Sequence, residues 1–365
     1  MRKLKVGKIW ILAFLLAVAV VGCSDPDKVT GGPTSPLTPP TVVSVIPAGA
    51  ATGICQGAVV SATFSKPMNR NTIISPATAF KLATGSTAVP GQVSMDSANL
   101  VATFTPSSPL ALNTAYTATI TTGAQDQFGN GLAADFTWMF TTAATACPAP
   151  IPTGTACGFG ILAATPAVTN VGPTIVTGSV GIWPAASVTG FPPGTLTGNG
   201  GVPNTGDAVA QQAQSDLTVA YNAAAGAPGG AALPGGIGGS GTAPFPPGVY
   251  KATSTLLITG NITLDGKGDP NSAWIFQVGS ALTTAAGAPG APGSQVLLIG
   301  GAQAKNVIWQ LGSSGTIGTY ALFQGTIMAQ ASITLGTGAT LNGRALARTG
   351  AVTLDSNPVN VPPCP

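Results

Sequence analysis

The sequence contains no histidine and no glutamate; all ten of its acidic residues are aspartates. Without histidine, the commonest general base and metal ligand is missing. A catalytic pair would have to come from scattered aspartates, most of them in turn-like settings such as Asp265-Gly-Lys-Gly-Asp269. Two carboxylates are too few for a calcium loop, so that segment reads as a turn. No enzyme, no cofactor and no metal site is expected. Charge of either sign is scarce. Charged residues make up 6% of the chain, against roughly 25% in typical soluble domains. The formal net charge is +3, but Arg2, Lys3, Lys5 and Lys8 lie in the first eight residues. With those four set aside, nine basic residues face ten acidic ones. No basic patch with interleaved aromatics remains, so nucleic-acid binding has no support.

What is present is apolar and turn-rich. At 365 residues the chain can hold two domains, and a hydrophobic fraction of 44% argues against disorder. Gly 50 and Pro 32 favour many short strands joined by turns. The first 22 residues read as an export signal: basic at the start, then an apolar run from Ile9 to Val21 that is short for a membrane span. "VVGC" resembles a bacterial lipoprotein box with Val at its first position, which implies acylation of Cys23. Ser24 and Asp25 do not form the usual inner-membrane retention signal. The expectation is therefore an exported protein, lipid-anchored to the outer membrane or cell surface. Residues 23–38 form a polar, Pro/Gly-rich tether.

From Pro39 to Thr142 short alternating runs such as "AVVSATFS", "LVATFTP", "AYTATIT" and "FTWMFTT" fit an antiparallel sandwich. With "SATFSKPMN" and "LNTAYTATITTGAQDQFGNGL", this segment resembles the bacterial Ig-like domains of surface proteins, which act as spacers. Trp138 reads as core. Residues 143–157 form a Pro-rich linker, and a second domain spans 158–365. Four cysteines remain beside Cys23, enough for two disulfides in any of three connectivities. Domain placement favours Cys55–Cys147 and Cys157–Cys364.

The second domain carries the periodic signal. Thr334 and Thr353 each sit between aliphatic residues, in Ile333-Thr334-Leu335 and Val352-Thr353-Leu354, and Thr316 precedes Ile317. Aligning "WIFQVGSALTTAAG" with "IWQLGSSGTIGTYA" places Phe276 on Trp309 and Thr283 on Thr316. Aligning "FQGTIMAQASITLGTG" with "LNGRALARTGAVTLDS" places Gly325 on Gly343 and Thr334 on Thr353. Weak repeats of short strands predict a β-solenoid. Strand alternation then points Thr283, Thr316, Thr334 and Thr353 outward, in one column if coil order follows chain order. Trp274 and Trp309 read as packing residues. Arg344 and Arg348 are expected to pair with a nearby aspartate or stay solvated. One helix is predicted over 207–225, with an apolar stripe of Val209, Ala213, Leu217, Ala220 and Ala224.

These segments, with "FGILAATPAVTNVGPTIVTGSVGIWP", "VTGFPPGTLTG" and "PGVYKATSTLLITGNITLDGKGDPNSAWIFQVGSALTTAAG", resemble the ice-binding proteins of polar bacteria, fungi and algae. The resemblance implies a mainly β fold in which a right-handed, discontinuous, triangular β-solenoid with one long helix alongside follows the Ig-like sandwich. It implies that the first coil lies beside the C-terminal end, which suits a Cys157–Cys364 bond. It also implies one flat binding face, with Thr189 joining Thr283, Thr316, Thr334 and Thr353. The partner would be an ice crystal surface, bound by a monomer. Two other readings stay open from the residues themselves. Threonine is a favoured strand residue on any solenoid exterior, and the same solenoid could serve as a non-ice adhesin gripping polysaccharide or other cells.

Overall fold

A computed structural model describes residues 37–74, 79–239 and 241–364. The export signal, Cys23 and nearly all of the tether lie outside the described residues. Among the described residues, no helix is long and apolar enough to cross a membrane.

Alternation of buried and exposed side chains builds the first domain. Its four-stranded sheet holds Val42–Ile46, Val60–Phe64, Val101–Pro106 and Gly91–Met95. The five-stranded sheet facing it holds Ala51–Ile54, Phe136–Thr142, Ala115–Ile120, Phe80–Thr84 and Thr87–Ala88. Pairing is antiparallel except for Ala51–Ile54 beside Phe136–Thr142. Trp138, Phe140, Phe80 and Phe104 point into the sandwich, with Phe80 and Trp138 ring centroids 5.9 Å apart. A disulfide joins Cys55 to Cys147 in the segment that leaves the domain.

The second domain is a coil of parallel strands with three runs per turn. One coil passes through Val307–Leu311, then Gly315–Ile317, then the start of Leu322–Ala329, and the next repeats the order. The strand Leu322–Ala329 turns a corner at Gly325, where φ is +107° and an added Cβ would meet the Val307 carbonyl oxygen at 2.6 Å. Glycine is required there on both counts. The expected register is observed: Phe276 pairs with Trp309, Thr283 with Thr316, Gly325 with Gly343, and Thr334 with Thr353. Inside the coil, Tyr250, Phe276 and Trp309 form a stack, the last two with centroids 4.0 Å apart and planes 8° from parallel. Trp274 and Trp309 are fully buried, and each indole N–H donates to a backbone carbonyl, of Phe245 and Gln324 respectively.

Coil order departs from chain order at one place. Phe159–Ala163 inserts between Ser179–Ile182 and Thr340–Ala347, so the first coil lies directly on the last. Two devices close that seam. Cys157 is bonded to Cys364. Beside it the fully buried Arg344 donates through Nε to the Cys157 carbonyl (2.7 Å) and through Nη2 to that of Pro362 (2.5 Å). Burial without a carboxylate lowers the Arg344 pKa to about 10.

The helix spans Ala208–Ala225 and is capped by Asp207, whose carboxylate accepts from the Ala210 N–H at 2.8 Å. Its buried stripe is Ala210, Ala213, Leu217, Ala220, Tyr221 and Ala224. Val209, expected in that stripe, is 56% exposed. One residue of helix is about 100° of rotation, and the other stripe positions are in phase with Ala210. The stripe packs on Leu162, Ile275, Ile308, Met328 and Leu346 of one solenoid face. Gln214 and Gln277 fasten it: the first donates to the carbonyls of Ala163 and Ala347, the second to those of Ala224, Ala225 and Ala227 at the helix end.

Candidate functional site

A second face of the solenoid is left uncovered by the helix. Its eight strands run in the order Ser187–Thr189, Ala167–Val171, Val352–Asp355, Ile333–Leu335, Gly315–Ile317, Leu282–Thr284, Leu256–Ile258 and Gly236–Ile237. Most are three residues long, with flanking positions buried and the middle one outward. Ile333 and Leu335 fill the interior, which leaves Thr334 no option but solvent.

Register places the outward threonines of these strands in one line. Thr189 pairs with Thr169, Thr169 with Thr353, Thr353 with Thr334, Thr334 with Thr316, and Thr316 with Thr283. All five sequence-predicted threonines therefore share one column. At about 4.8 Å per strand the six threonines extend roughly 24 Å. Five are exposed and Thr283 is half-buried. Leu257 and Gly236 continue the line at the far end without a hydroxyl.

Thr169 was not foreseen. It sits in Val168-Thr169-Asn170, where a polar residue replaces the second aliphatic flank and hides the pattern. Asn170 is nonetheless buried, and its amide donates to the carbonyls of Gly172 and Gly190. The alternation of Val168 and Thr169 was the available signal.

The face is nearly free of charge. Its eight strands hold one ionisable residue, Asp355, at the end of its strand. That carboxylate accepts hydrogen bonds from Thr337 Oγ1 (2.6 Å) and Ser356 Oγ (3.0 Å). The backbone is held from below: Thr284 Oγ1, pointing inward, accepts the Gly318 N–H at 2.8 Å. The coils close tightly after each strand. A Cβ at Gly336 would meet the Thr319 nitrogen at 2.8 Å, so only glycine lets successive turns approach there. Among the described residues, no cluster of three or more Cys and Asp side chains could hold a metal. The arrangement offers no nucleophile with a base beside it. It offers a rigid row of hydroxyl and methyl groups.

Residues 161–360 match the model of a family described as ice-binding-like. The chain belongs to that family. Residues 37–142 match a bacterial Ig-like domain. Among its relatives, the ice-binding protein of Nostoc sp. (strain HG1) is 44% identical over 209 residues, 57% of this chain and 72% of its own length. Ice-binding protein 1 of Shewanella frigidimarina is 35% identical over 285 residues, 71% of this chain but 31% of its own length. Solved structures agree in fold. An ice-binding protein from an Antarctic biological consortium shares 45% identity with a TM-score of 0.53, covering 58% of this chain and 91% of that one. The corresponding domain of the Shewanella protein gives 34% identity and a TM-score of 0.50, covering 58% and 97%.

The matched residues span the solenoid and its helix together. Arg344 and Arg348 neither pair with an aspartate nor stay fully solvated. Arg344 is buried among carbonyls, and Arg348 donates through Nη1 to Gln330 Oε1 and lies 4.4 Å over the Tyr221 ring.

Proposed function

We propose that this protein adsorbs to ice through the column Thr189, Thr169, Thr353, Thr334, Thr316 and Thr283. The observation that carries the reading is the unbroken register of six threonines on a face with a single, hydrogen-bonded charge. A strongly charged surface orders water around each ion in a geometry ice does not share. A row of methyl groups with hydroxyls at fixed spacing instead leaves its first water layer free to adopt the lattice. Each contact is weak, but contacts on one rigid body act together, and the sum becomes effectively irreversible. The ice-binding function carried by the names of its relatives supports the same reading. In this reading the protein acts as a monomer, and Cys23 anchors it by acyl chains to the outer membrane or cell surface. The Ig-like domain then carries the ice face away from the lipid. Antifreeze activity, inhibition of recrystallisation and adhesion of the cell to ice all follow from the one adsorption step. Ice-affinity partitioning of the purified chain tests it. Enrichment in the ice fraction supports adsorption, and complete exclusion into the liquid refutes it.

A further inference from the structure

A cleft of about 350 Å³ lies at the corner between the helix-covered face and the threonine face. It is lined by Trp183, Pro184, Gln211, Ser215, Thr218 and Arg348, with the buried Gln214 at its base. Trp183 and Pro184 follow Ser179–Ile182 and precede Ser187–Thr189; Arg348 follows Thr340–Ala347 and precedes Val352–Asp355. The cleft therefore flanks the column without sharing a residue with it.

Its chemistry differs from that of the threonine face. Arg348 is its one cation, and no carboxylate lies within ion-pair distance; among the described residues, the ion pairs are Lys66–Asp126 and Lys267–Asp265. The Arg348 Nε is buried and has no hydrogen-bond acceptor. The Arg348 Nη1 is already engaged by Gln330 Oε1, which leaves Nη2 as the donor that a ligand in the cleft would meet. The guanidinium is also held in place. Tyr221, over which it stacks, is fixed by its own hydroxyl donating to the Leu311 carbonyl at 3.0 Å. Alongside the cation, Gln211, Ser215 and Thr218 present amide and hydroxyl groups along one side of the helix. Gln214 is oriented by its two bonds to backbone carbonyls. Trp183 adds a half-buried aromatic surface.

We propose that this cleft binds one hexuronate unit of an acidic polysaccharide. The Arg348 guanidinium takes the carboxylate through Nη2, the donor that the Gln330 bond leaves free, as a charge-assisted hydrogen bond. The helix side chains take the ring hydroxyls, and Trp183 covers the apolar face of the sugar. The volume falls in the range of small-ligand sites and suits a single ring, and the cleft is open enough for a chain to continue on either side. A neutral hexose would leave the cation without a counter-charge, and a simple carboxylate would leave the polar helix side and Trp183 unused. The proposal does not depend on ice adsorption.

The test is titration of the purified chain with a uronate trimer, read by calorimetry and by the part of the tryptophan fluorescence that Trp183→Ala removes, with a neutral trimer of the same linkage and acetate as comparisons. Saturable binding of the uronate trimer is expected. Arg348→Gln and Trp183→Ala should each weaken it by about tenfold or more, with an unchanged far-ultraviolet circular dichroism spectrum. Arg348→Lys, which keeps the charge but loses the planar group stacked on Tyr221, should fall between. Arg348→Gln should still partition into ice as the parent chain does. No heat and no fluorescence change at millimolar uronate would overturn the proposal. So would equal binding of the neutral trimer or of acetate, or uronate binding unchanged in both folded variants.

Discussion

Thr169 is the register partner of Thr353, although one belongs to the first coil of the solenoid and the other to the last. The column is continuous only because those two segments lie side by side. The proposed binding face is thus assembled across the seam that also joins the ends of the domain. Ice adsorption and closure of the seam are linked by construction.

Replacing Thr169, Thr334 or Thr353 by tyrosine should abolish partitioning into ice while leaving the melting temperature within about 2 °C. All three side chains are exposed, and exposed substitutions on strands shift stability by only about 0.5 kcal/mol. Asn360→Tyr, an exposed position on a different face, should leave partitioning unchanged. If Thr334→Tyr still enters the ice fraction at parental levels, the face lies elsewhere.

Arg344 at the seam should be far less tolerant. Arg344→Ala opens a fully buried volume and strips donors from the Cys157 and Pro362 carbonyls. A loss of about 3 kcal/mol or more is expected in urea denaturation. Replacing Cys157 and Cys364 together by serine removes a link between residues 207 apart. Chain entropy puts its loss at up to about 5 kcal/mol. The two sites touch the same segment, so combining both changes should cost less than the sum of the separate losses.

The coil repeat was legible because its parts are local. Alternation in Ile333-Thr334-Leu335 fixes which side chain points out, and two alignments fixed four register pairs that the structure reproduces. Alternation is a weaker signal at Thr169 and Thr189 than at the other four. Asn170 breaks the aliphatic flank of the first, and half-exposed Val188 leads the other straight into Gly190. No local rule states that residues near 169 pair with residues near 353, because that contact is set by closure of the whole coil. The helix was legible in place and length, but its phase slipped at Val209. Its stripe consists mainly of alanine, which carries little amphipathic contrast. The Arg344 contacts were invisible for a different reason: their acceptors are backbone carbonyls, which no sequence pattern marks.

The aromatic stack should prove the stability centre of the solenoid. Trp309→Ala removes a fully buried indole in contact with Phe276 and Phe323 and leaves the Gln324 carbonyl without its donor. About 3–5 kcal/mol should be lost. Trp309→Phe, which keeps the ring stack, should recover more than half of that by the same denaturation midpoint.

Acid stability should depend on Asp216. Its carboxylate accepts from both the backbone N–H and the hydroxyl of Thr155, each at 2.7 Å, and from Gln212 Nε2 at 2.8 Å. The Thr155 bonds, more than any other influence, hold its pKa below the ordinary aspartate range. A folded-state pKa depressed in this way gives stability that is fully present above the unfolded value, about 3.9. That stability is lost as pH falls through the folded-state value, because the unfolded chain then binds the proton more readily. Asp216→Asn should therefore lower stability at pH 7 by about 1 kcal/mol, a modest figure because the group is partly exposed. The gap between parent and variant should close progressively below about pH 4. Buried Asp269 is shifted the opposite way, raised chiefly by desolvation, so the raw curve of the parent mixes both signs. The difference between parent and Asp216→Asn cancels the Asp269 contribution. A gap that stays constant from pH 7 down to pH 3 would show that the Thr155 bonds do not favour the charged carboxylate.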